Sequence, residues 1–363
     1  MNDYQERYQR QLILDGFGPS AQAKLASAKV LVIGAGGLGC PILQYLAAAG
    51  VGTIGIADND IVSATNLNRQ VLYTENDLGQ PKVFVAEQKL GAQNSGIKII
   101  SFKERWNTQL SVDHFPDFDI IVDATDNFAS RYLINDACVL LNKPLVFGAV
   151  SKYEGQVALL NVGNQEERIN YRDLFPEPPR NNEVQSCSEA GVIGFVPGII
   201  GTIQAAETVK LITGIGRPLI HQLLLYNALR QETHTISLSK NPASDQFIPK
   251  TIGEFILVDY EWLCASEQVN EISIDEWLLN KTQYQLVDIR EPFEKPRLDR
   301  FDHRSIPLSH LSQQIDQLSG SSIVFVCQSG VRSKSALNLV KGLPGQFLSL
   351  SGGVNELVKR KIV

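Results

Sequence analysis

The chain has 363 residues, a hydrophobic content of 44%, a charged content of 20% and a formal net charge of -6 at pH 7. This length exceeds one ordinary core and suffices for two domains, and the negative charge argues against a nucleic-acid partner held by overall electrostatics. The five cysteines are widely spaced and odd in number, so they predict no disulfide framework; with the polar N-terminal segment they indicate a cytoplasmic protein.

Short apolar runs alternate with helical patterns over the first 150 residues. The predicted elements are a helix at 7–14, a strand at 29–33, a helix at 38–49, a strand at 53–57, a helix at 81–90, strands at 97–102 and 119–123, a helix at 128–141 and a strand at 145–149. This alternation predicts an α/β fold whose parallel sheet is covered by helices on both faces.

The chain changes character after residue 160. Residues 163–189 are polar and rich in proline, which is typical of a functional or mobile loop. The apolar stretch that follows contains Pro197, Glu207 and Lys210, so we expect a buried helix at about 192–213 and no membrane span. The remaining predicted strands lie at 222–226, 232–237, 285–288, 322–326 and 346–350. We predict a first domain at 1–250, a linker at 251–270 and a smaller α/β domain at 271–363.

A glycine-rich turn follows the first predicted strand. Gly34, Gly36, Gly37 and Gly39 form a G-x-G-x-x-G pattern, in which backbone N–H groups can approach a phosphate and a helix N-terminus favours its charge. Asp58 ends the next strand, where a carboxylate can hold a ribose hydroxyl. Taken alone, the pattern predicts dinucleotide binding and leaves an NAD-dependent oxidoreductase as a candidate.

Further motifs favour a different nucleotide chemistry. In chain order they are Arg7-Tyr8-Gln9-Arg10-Gln11, Asp58-Asn59-Asp60, Asn66-Leu67-Asn68-Arg69-Gln70, Gly79-Gln80-Pro81-Lys82 and Asp123-Ala124-Thr125-Asp126-Asn127. This ordered set resembles the ubiquitin-activating-enzyme-like superfamily, and within it the adenylyltransferases that activate sulfur carriers for molybdopterin and thiamine-thiazole synthesis. The resemblance implies a Rossmann-like doubly wound sheet and the attack of a carrier carboxylate on the α-phosphate of ATP.

The resemblance also implies roles for individual residues. Arg69 and Lys82 would contact the phosphates, and Arg10 would reach in from the second subunit of a homodimer. Asp126 would hold Mg²⁺, and Asn66 would help to fix the nucleotide. The expected nucleotide site further includes Asp58, Asp60, Gln70 and Asn127. An oxidoreductase would leave Arg69, Lys82 and Asp126 without a role; a scaffold that docks a carrier without activating it is a second alternative.

Cysteine usage departs from the family in one place. Many relatives bind a structural zinc with two C-x-x-C pairs, whereas the corresponding segments here, 170–173 and 244–247, contain no cysteine, so we expect no zinc site. Cys187 matches the family's loop cysteine, which can hold the activated carrier as a thioester or acyl disulfide; the alternative is a small residue in a tight turn. We expect Cys40, Cys138 and Cys264 to be packing residues.

Residues 327–333 resemble the rhodanese active-site loop, C-x-x-G-x-R-S. In such a loop, backbone N–H groups together with Arg332 would stabilise a thiolate or persulfide on Cys327. A related loop, C-x5-R, serves phosphatases, and the shorter spacing between Cys327 and Arg332 favours sulfur chemistry. The D-x-R-E-P motif at 288–292 and the glycines at 352 and 353 also match this small α/β rhodanese-like domain.

The two resemblances together imply one reaction sequence. The first domain would adenylylate the C-terminal Gly-Gly carboxylate of a small ubiquitin-like sulfur carrier with ATP, and a persulfide on Cys327 would convert the product to a thiocarboxylate. The sulfur donor would be a cysteine desulfurase or thiosulfate. We expect neither a nucleic acid nor a membrane as a partner.

Overall fold

The computed structural model describes residues 6–164, 166–178, 191–261, 270–318 and 322–363. The chain forms two compact units, one built from residues up to Pro176 and from 191 to Ala243, the other chiefly from Ser244 to Val363. Each unit has its own sheet and its own hydrophobic core. The domain boundary at residue 250 stays a prediction, and a short helix, Ile252–Ile256, lies within the range expected to be a linker.

The sheet of the first unit is mixed. Its strands are β1 (Lys29–Ile33), β2 (Thr53–Ala57), β3 (Lys98–Phe102), β4 (Ile120–Asp123), β5 (Leu145–Ser151), β6 (Glu154–Leu160), β7 (Gln222–Asn227) and β8 (Glu232–Ser237). Among the described residues the order is β3-β2-β1-β4-β5-β6-β7-β8, parallel from β3 to β5 and antiparallel beyond. Because the chain leaves β1 in one direction and returns to its other side at β4, the crevice beyond these two strands is a topological switch point, where ligands bind in such sheets.

The helices of the first unit lie between and beside these strands. They are α1 (Gln9–Leu12), α2 (Gly18–Ser27), α3 (Gly39–Ala49), α4 (Lys82–Gln93), α5 (Thr108–His114), α6 (Phe128–Leu140), α7 (Tyr171–Leu174) and α8 (Phe195–Thr213). By length and composition alone, α8 could cross a membrane. It packs instead against α3, β5 and β6 and buries Ile200, Gln204 and Ala205, which confirms the predicted core helix.

Beyond β5 the sheet differs from the all-parallel prediction. β6 was not expected, and it pairs antiparallel with β5 through a two-residue turn in which Lys152 has a φ of 51°. Gly155 weakens the strand signal of its sequence, but a Cβ there would lie 2.2 Å from Ile200 of α8, so the glycine allows the close approach of helix and strand. The two predicted strands at 222–226 and 232–237 are present as β7 and β8, and they pair antiparallel as a hairpin.

The second unit contains a parallel sheet. Its described strands are β9 (Glu271–Ile272), β10 (Gln285–Asp288), β11 (His303–Ser305), β12 (Ser322–Val326) and β13 (Gln346–Leu350), in the order β11-β10-β12-β13-β9. Its helices are α9 (Ile252–Ile256), α10 (Ile274–Leu279), α11 (Leu308–Leu311), α12 (Val331–Leu339) and α13 (Gly353–Lys359). Val287 and Phe325 belong to one buried cluster and Leu286 and Val324 to another, so apolar side chains cover both faces of the sheet.

Candidate functional site

The glycine turn lies at the switch point and packs on the end of β4. Gly34 has a φ of 103°, and a Cβ there would lie 2.5 Å from the Ala124 carbonyl oxygen; a Cβ on Gly39 would lie 2.0 Å from the Gly34 oxygen. The fold therefore requires both glycines. At Gly36, in contrast, a Cβ would make only an ordinary contact, 3.6 Å from Gln70 Nε2. Its missing side chain instead leaves the backbone open to a ligand such as a phosphate.

Asp58 supports this turn from the end of β2. Its Oδ2 accepts the Ala35 N–H at 2.8 Å and its Oδ1 accepts the Asp60 N–H at 2.8 Å. Since each carboxylate oxygen has a further lone pair, the predicted bond to a ribose hydroxyl remains available. The buried Tyr73 completes the support, because its hydroxyl donates to the Ala35 oxygen at 2.9 Å; no motif identified this tyrosine.

Two cationic side chains lie beyond the turn. Lys82 Nζ is 2.9 Å from Asp60 Oδ2, and the lysine side chain is 4% exposed whereas that of the aspartate is 64% exposed. Arg69 is only partly buried and donates to the Thr65 carbonyl and to Asn68 Oδ1, each at 3.0 Å. Both cations therefore bond to groups that are largely exposed.

Gln70 is buried against the glycine turn. Its Oε1 has no hydrogen-bond partner within the part of the chain that the structure describes. A buried amide oxygen without a donor costs free energy, so it marks a place where a ligand donor would be stabilising. Asn66 shapes this segment through its backbone, because its carbonyl accepts the N–H groups of Arg69 and Gln70 at 3.1 and 2.9 Å.

The segment after β4 presents the other predicted residues. Asp126 and Asn127 are both exposed, and Asn127 Oδ1 accepts the Ser130 N–H at 2.8 Å, so this residue caps α6. Asp123 is fully buried and its Oδ1 accepts both the N–H and the hydroxyl of Thr125, at 2.9 and 2.6 Å. Burial raises the pKa of the Asp123 carboxyl. These bonds fix the turn that carries Asp126.

A buried polar group beneath this turn escaped the sequence analysis. Gln204 of α8 donates to the Asp123 carbonyl at 2.8 Å, and Arg131 Nε is 3.9 Å from Asp123 Oδ2. The guanidinium of Arg131 also lies over the rings of Phe128, Phe147 and Tyr171. Gln204 is 81 residues from Asp123 in the chain, and the rings of Phe147 and Tyr171 come from other elements than Arg131, so no local pattern indicates these contacts.

The segment that corresponds to the family's first cysteine pair is occupied by hydrogen bonds. Arg172 donates to both carboxylate oxygens of the buried Asp136 at 2.7 Å. Asp173 Oδ2 accepts from the backbone and side chain of Asn170 at 2.8 and 2.9 Å, and its Oδ1 accepts the Asn241 N–H at 3.0 Å. In the described ranges no group of three His, Cys, Asp or Glu side chains is placed to hold a metal ion.

The structure describes three of the five candidate residues that remain, namely Arg10, Cys40 and Cys138. Arg10 is exposed in α1, as an arm to a second subunit would require. Cys40 and Cys138 are fully buried, and burial raises the pKa of Cys40 to about 12 and also raises that of Cys138. Cys187 and Cys264 lie outside the described residues, so their predicted roles stay predictions.

In the second unit, backbone N–H groups converge on a sulfur atom. Cys327 Sγ accepts the N–H groups of Gly330 and Ser333 at 3.2 and 3.3 Å, and Ser333 Oγ lies 3.5 Å away. A Cβ on Gly353 would lie 2.3 Å from the Cys327 oxygen, which explains a glycine at this position. The loop can therefore stabilise negative charge on the sulfur.

The arginines of this loop region are held by carboxylates. Arg332 donates from Nη1 and Nη2 to the two oxygens of Glu294, at 2.7 and 2.6 Å. Arg290 donates from Nε and Nη2 to Asp288. Its Nη1 donates to Gln328 Oε1 at 3.0 Å. The guanidinium predicted to serve the sulfur thus has Glu294 as its hydrogen-bond partner, a residue that the loop motif does not contain.

Comparison with known proteins agrees with this geometry. The ThiF family model matches residues 8–246. A crystal structure of E. coli MccB with ATP superimposes with a TM-score of 0.54 at 26% identity, covering 61% of this chain and 67% of that one. The similarity therefore includes the glycine turn and the segment after β4.

Curated relatives extend the match. The sulfur carrier protein adenylyltransferase of Thermus thermophilus is 44% identical over 266 residues, covering 72% of this chain and 96% of the relative. The probable adenylyltransferase/sulfurtransferase MoeZ of Mycobacterium tuberculosis is 39% identical over 370 residues, covering 98% of this chain and 93% of the relative. With a family model that matches residues 8–246 and a relative aligned over 98% of the chain, this chain belongs to the ThiF family.

Proposed function

We propose that this protein uses ATP to adenylylate the C-terminal Gly-Gly carboxylate of a small ubiquitin-like sulfur carrier and then exchanges the adenylate for sulfur carried on Cys327. One observation carries the first half: the glycine turn at the switch point leaves the Gly36 backbone open beside the unpartnered Gln70 Oε1. The relatives are an adenylyltransferase for a sulfur carrier and an adenylyltransferase/sulfurtransferase, which supports both halves.

Adenylylation needs neutralised phosphates and a fixed line of attack. The backbone of the turn would hold the phosphates, and Arg69 and Lys82 would offset their charge. Lys82 has three N–H donors, so it can keep its bond to Asp60 and still donate to an oxygen of the leaving pyrophosphate. A carboxylate oxygen of the carrier then attacks the α-phosphorus, and pyrophosphate leaves.

The exposed carboxylate of Asp126 fits a magnesium ion, because Mg²⁺ prefers hard oxygen ligands and usually combines one or two carboxylates with substrate phosphates. When bound, the ion would offset charge on the phosphates. The Asp123–Thr125 bonds would keep the Asp126 turn in place.

We also propose a homodimer in which Arg10 of one protomer reaches the nucleotide of its partner.

Sulfur transfer uses the second unit. The terminal sulfur of a Cys327 persulfide attacks the carbonyl carbon of the acyl adenylate, and AMP leaves with the bonding electron pair. The product is an acyl disulfide between carrier and Cys327. A second thiol, for which Cys187 is the candidate, then attacks Cys327 Sγ, so that the thiocarboxylate leaves and a disulfide remains. The N–H groups of Gly330 and Ser333 stabilise the anionic sulfur before attack.

Carrier-dependent exchange of labelled pyrophosphate into ATP tests this proposal. We expect exchange only in the presence of a carrier that ends in Gly-Gly, and we expect Cys327→Ala to retain exchange while losing thiocarboxylate, as read from the carrier's mass. A nicotinamide cofactor bound in place of ATP, with no exchange for any carrier, would restore the oxidoreductase interpretation. Binding of ATP and carrier without exchange would favour the non-catalytic scaffold.

A further inference from the structure

The Cys327 loop contains one cationic residue, and that residue is already paired. Between Cys327 and Ser333 the only Lys or Arg is Arg332. Both terminal nitrogens of its guanidinium bond to Glu294, and the two side chains are 11% and 14% exposed. Burial alone would raise the pKa of Glu294, but the hydrogen bonds and charge of Arg332 hold that pKa below its ordinary value. Glu294 is therefore an ionised partner that occupies the face of the guanidinium suited to an oxyanion.

Two neighbouring cations, Arg290 and Lys334, are also paired with carboxylates. Arg290 makes a bidentate pair with Asp288. Lys334, in α12 directly after the loop, lies 2.6 Å from Glu271. The positive charge that flanks the Cys327 loop is thus matched by carboxylates, and backbone N–H groups contribute the stabilisation that the sulfur receives. These N–H groups already point at the Cys327 sulfur, so a sulfonate beside that sulfur would depend on an available cation for its stabilisation.

Sulfur donors differ in whether they carry a sulfonate group. Thiosulfate is a dianion whose sulfonate must lie beside the cysteine while its outer sulfur is transferred. A persulfide donor brings its transferable sulfur on a thiol and has no sulfonate. An ionised carboxylate at Glu294 repels the thiosulfate dianion more strongly than a persulfide, whose negative charge is confined to its sulfur.

We propose that Glu294 is a specificity-determining residue that makes the Cys327 loop accept sulfur from persulfides and discriminate against thiosulfate. The proposal rests on the proposed role of Cys327 as the sulfur acceptor. In the favoured reaction the Cys327 thiolate attacks the outer sulfur of the donor persulfide, the donor's S–S bond breaks, and the donor leaves as a thiolate. In the disfavoured reaction the leaving group is sulfite.

The test compares two donors with cyanide as the acceptor, which removes the sulfur as thiocyanate and regenerates the Cys327 thiolate. The donors are thiosulfate and 2-hydroxyethyl persulfide, whose only charged group is its sulfur. We expect wild-type protein to use 2-hydroxyethyl persulfide with the higher kcat/KM. Glu294→Gln should raise kcat/KM for thiosulfate about tenfold or more and change that for 2-hydroxyethyl persulfide less than about twofold.

Asp275→Asn is the matched control, because it removes the same charge from an exposed bidentate pair with Arg360 in the same unit. It should leave both donors unchanged. Ser329→Lys is the second variant; it places a cation on the partly exposed part of the loop without altering the Arg332–Glu294 pair, and it should also raise thiosulfate use. It keeps the test decisive if calorimetry shows that Glu294→Gln does not fold.

The possible outcomes distinguish a failure of the specificity role of Glu294 from a failure of the proposed function. Equal effects of a folded Glu294→Gln on both donors, or an unchanged thiosulfate rate, would overturn the specificity role, as would a Ser329→Lys protein that gains nothing. If mass spectrometry finds no sulfur added to Cys327 of the wild type from either donor, the proposed function itself fails.

Discussion

The ammonium of Lys82 is almost fully buried, yet its carboxylate partner is mostly in solvent. A structural ion pair of the interior buries both members, because each then compensates the desolvation of the other. Here Asp60 is mostly hydrated, so its negative charge compensates the buried ammonium only partly. This difference in exposure between Lys82 and Asp60 fits a cation that gains a second anionic partner when a phosphate binds.

Replacement of Lys82 by Met tests this at the residue scale. The change keeps most of the side-chain volume and removes the charge, so carrier-dependent pyrophosphate exchange should fall about 100-fold or more, as expected when one electrostatic group is lost from a preorganised site. Lys98→Met, at an exposed position of β3, should leave exchange unchanged. A Lys82→Met protein that folds and exchanges normally would remove Lys82 from the site.

Residues in local motifs could be predicted, whereas residues that act through distant partners could not. Gly34 and Cys327 belong to short sequence patterns in which the backbone conformation itself creates the anion-binding N–H groups. Glu294 and Arg332 are 38 residues apart in the chain, and Gln204 reaches the Asp123 carbonyl across 81 residues. Side-chain partners of this kind are set by the packing of strands and helices, which no spacing rule describes.

At the scale of elements, buried parallel strands were the easiest to predict. β1 and β12 are continuous apolar runs because helices cover both faces of their sheets. The antiparallel part of the first sheet was predicted less completely, because β6 contains Gly155 and was missed. β8 is exposed along its whole length, yet it lies at its predicted position.

Helices α6 and α7 are joined by the buried Arg172–Asp136 pair, whose guanidinium also lies 4.8 Å from the Tyr132 ring. Arg172→Met would leave a buried carboxylate without its partner, which costs about 3–5 kcal/mol and should lower the Tm of the first unit by roughly 10 °C. Calorimetry measures the shift. Arg360→Met, which breaks exposed pairs in the second unit, should lower the Tm of that unit far less. Equal shifts for the two variants would contradict the buried role.

The same network makes a prediction about metal removal. Asn170 and Asp173 are committed to hydrogen bonds with each other and with Asn241, and residues 244 and 247 are Ser and Phe. Dialysis against a chelator should therefore leave the unfolding temperature unchanged, because these two segments offer no cysteine thiolate to a structural zinc ion. Stoichiometric zinc in the purified protein, with a lower Tm after its removal, would refute this.

At the scale of the whole molecule, the described apolar clusters of the two units share no residue. The cluster that extends from Phe17 to Ala228 lies on one face of the first sheet, where it includes Val30 and Val32 of β1; two clusters of the second unit lie between Ile272 and Leu357. Activation of a carboxylate and storage of sulfur are thus assigned to units with separate hydrophobic cores.

Calorimetry should therefore resolve two unfolding transitions, and ATP should act on one of them. A ligand that binds only the native state at 100 times its Kd stabilises by about 2.7 kcal/mol, so saturating ATP should raise the Tm of the first unit by roughly 5–10 °C and leave that of the second unchanged. Lys82→Met should reduce the shift, whereas Cys327→Ala should not. A single transition that moves as a whole with ATP would show that the two cores unfold cooperatively, and it would contradict their assignment as separate folding units.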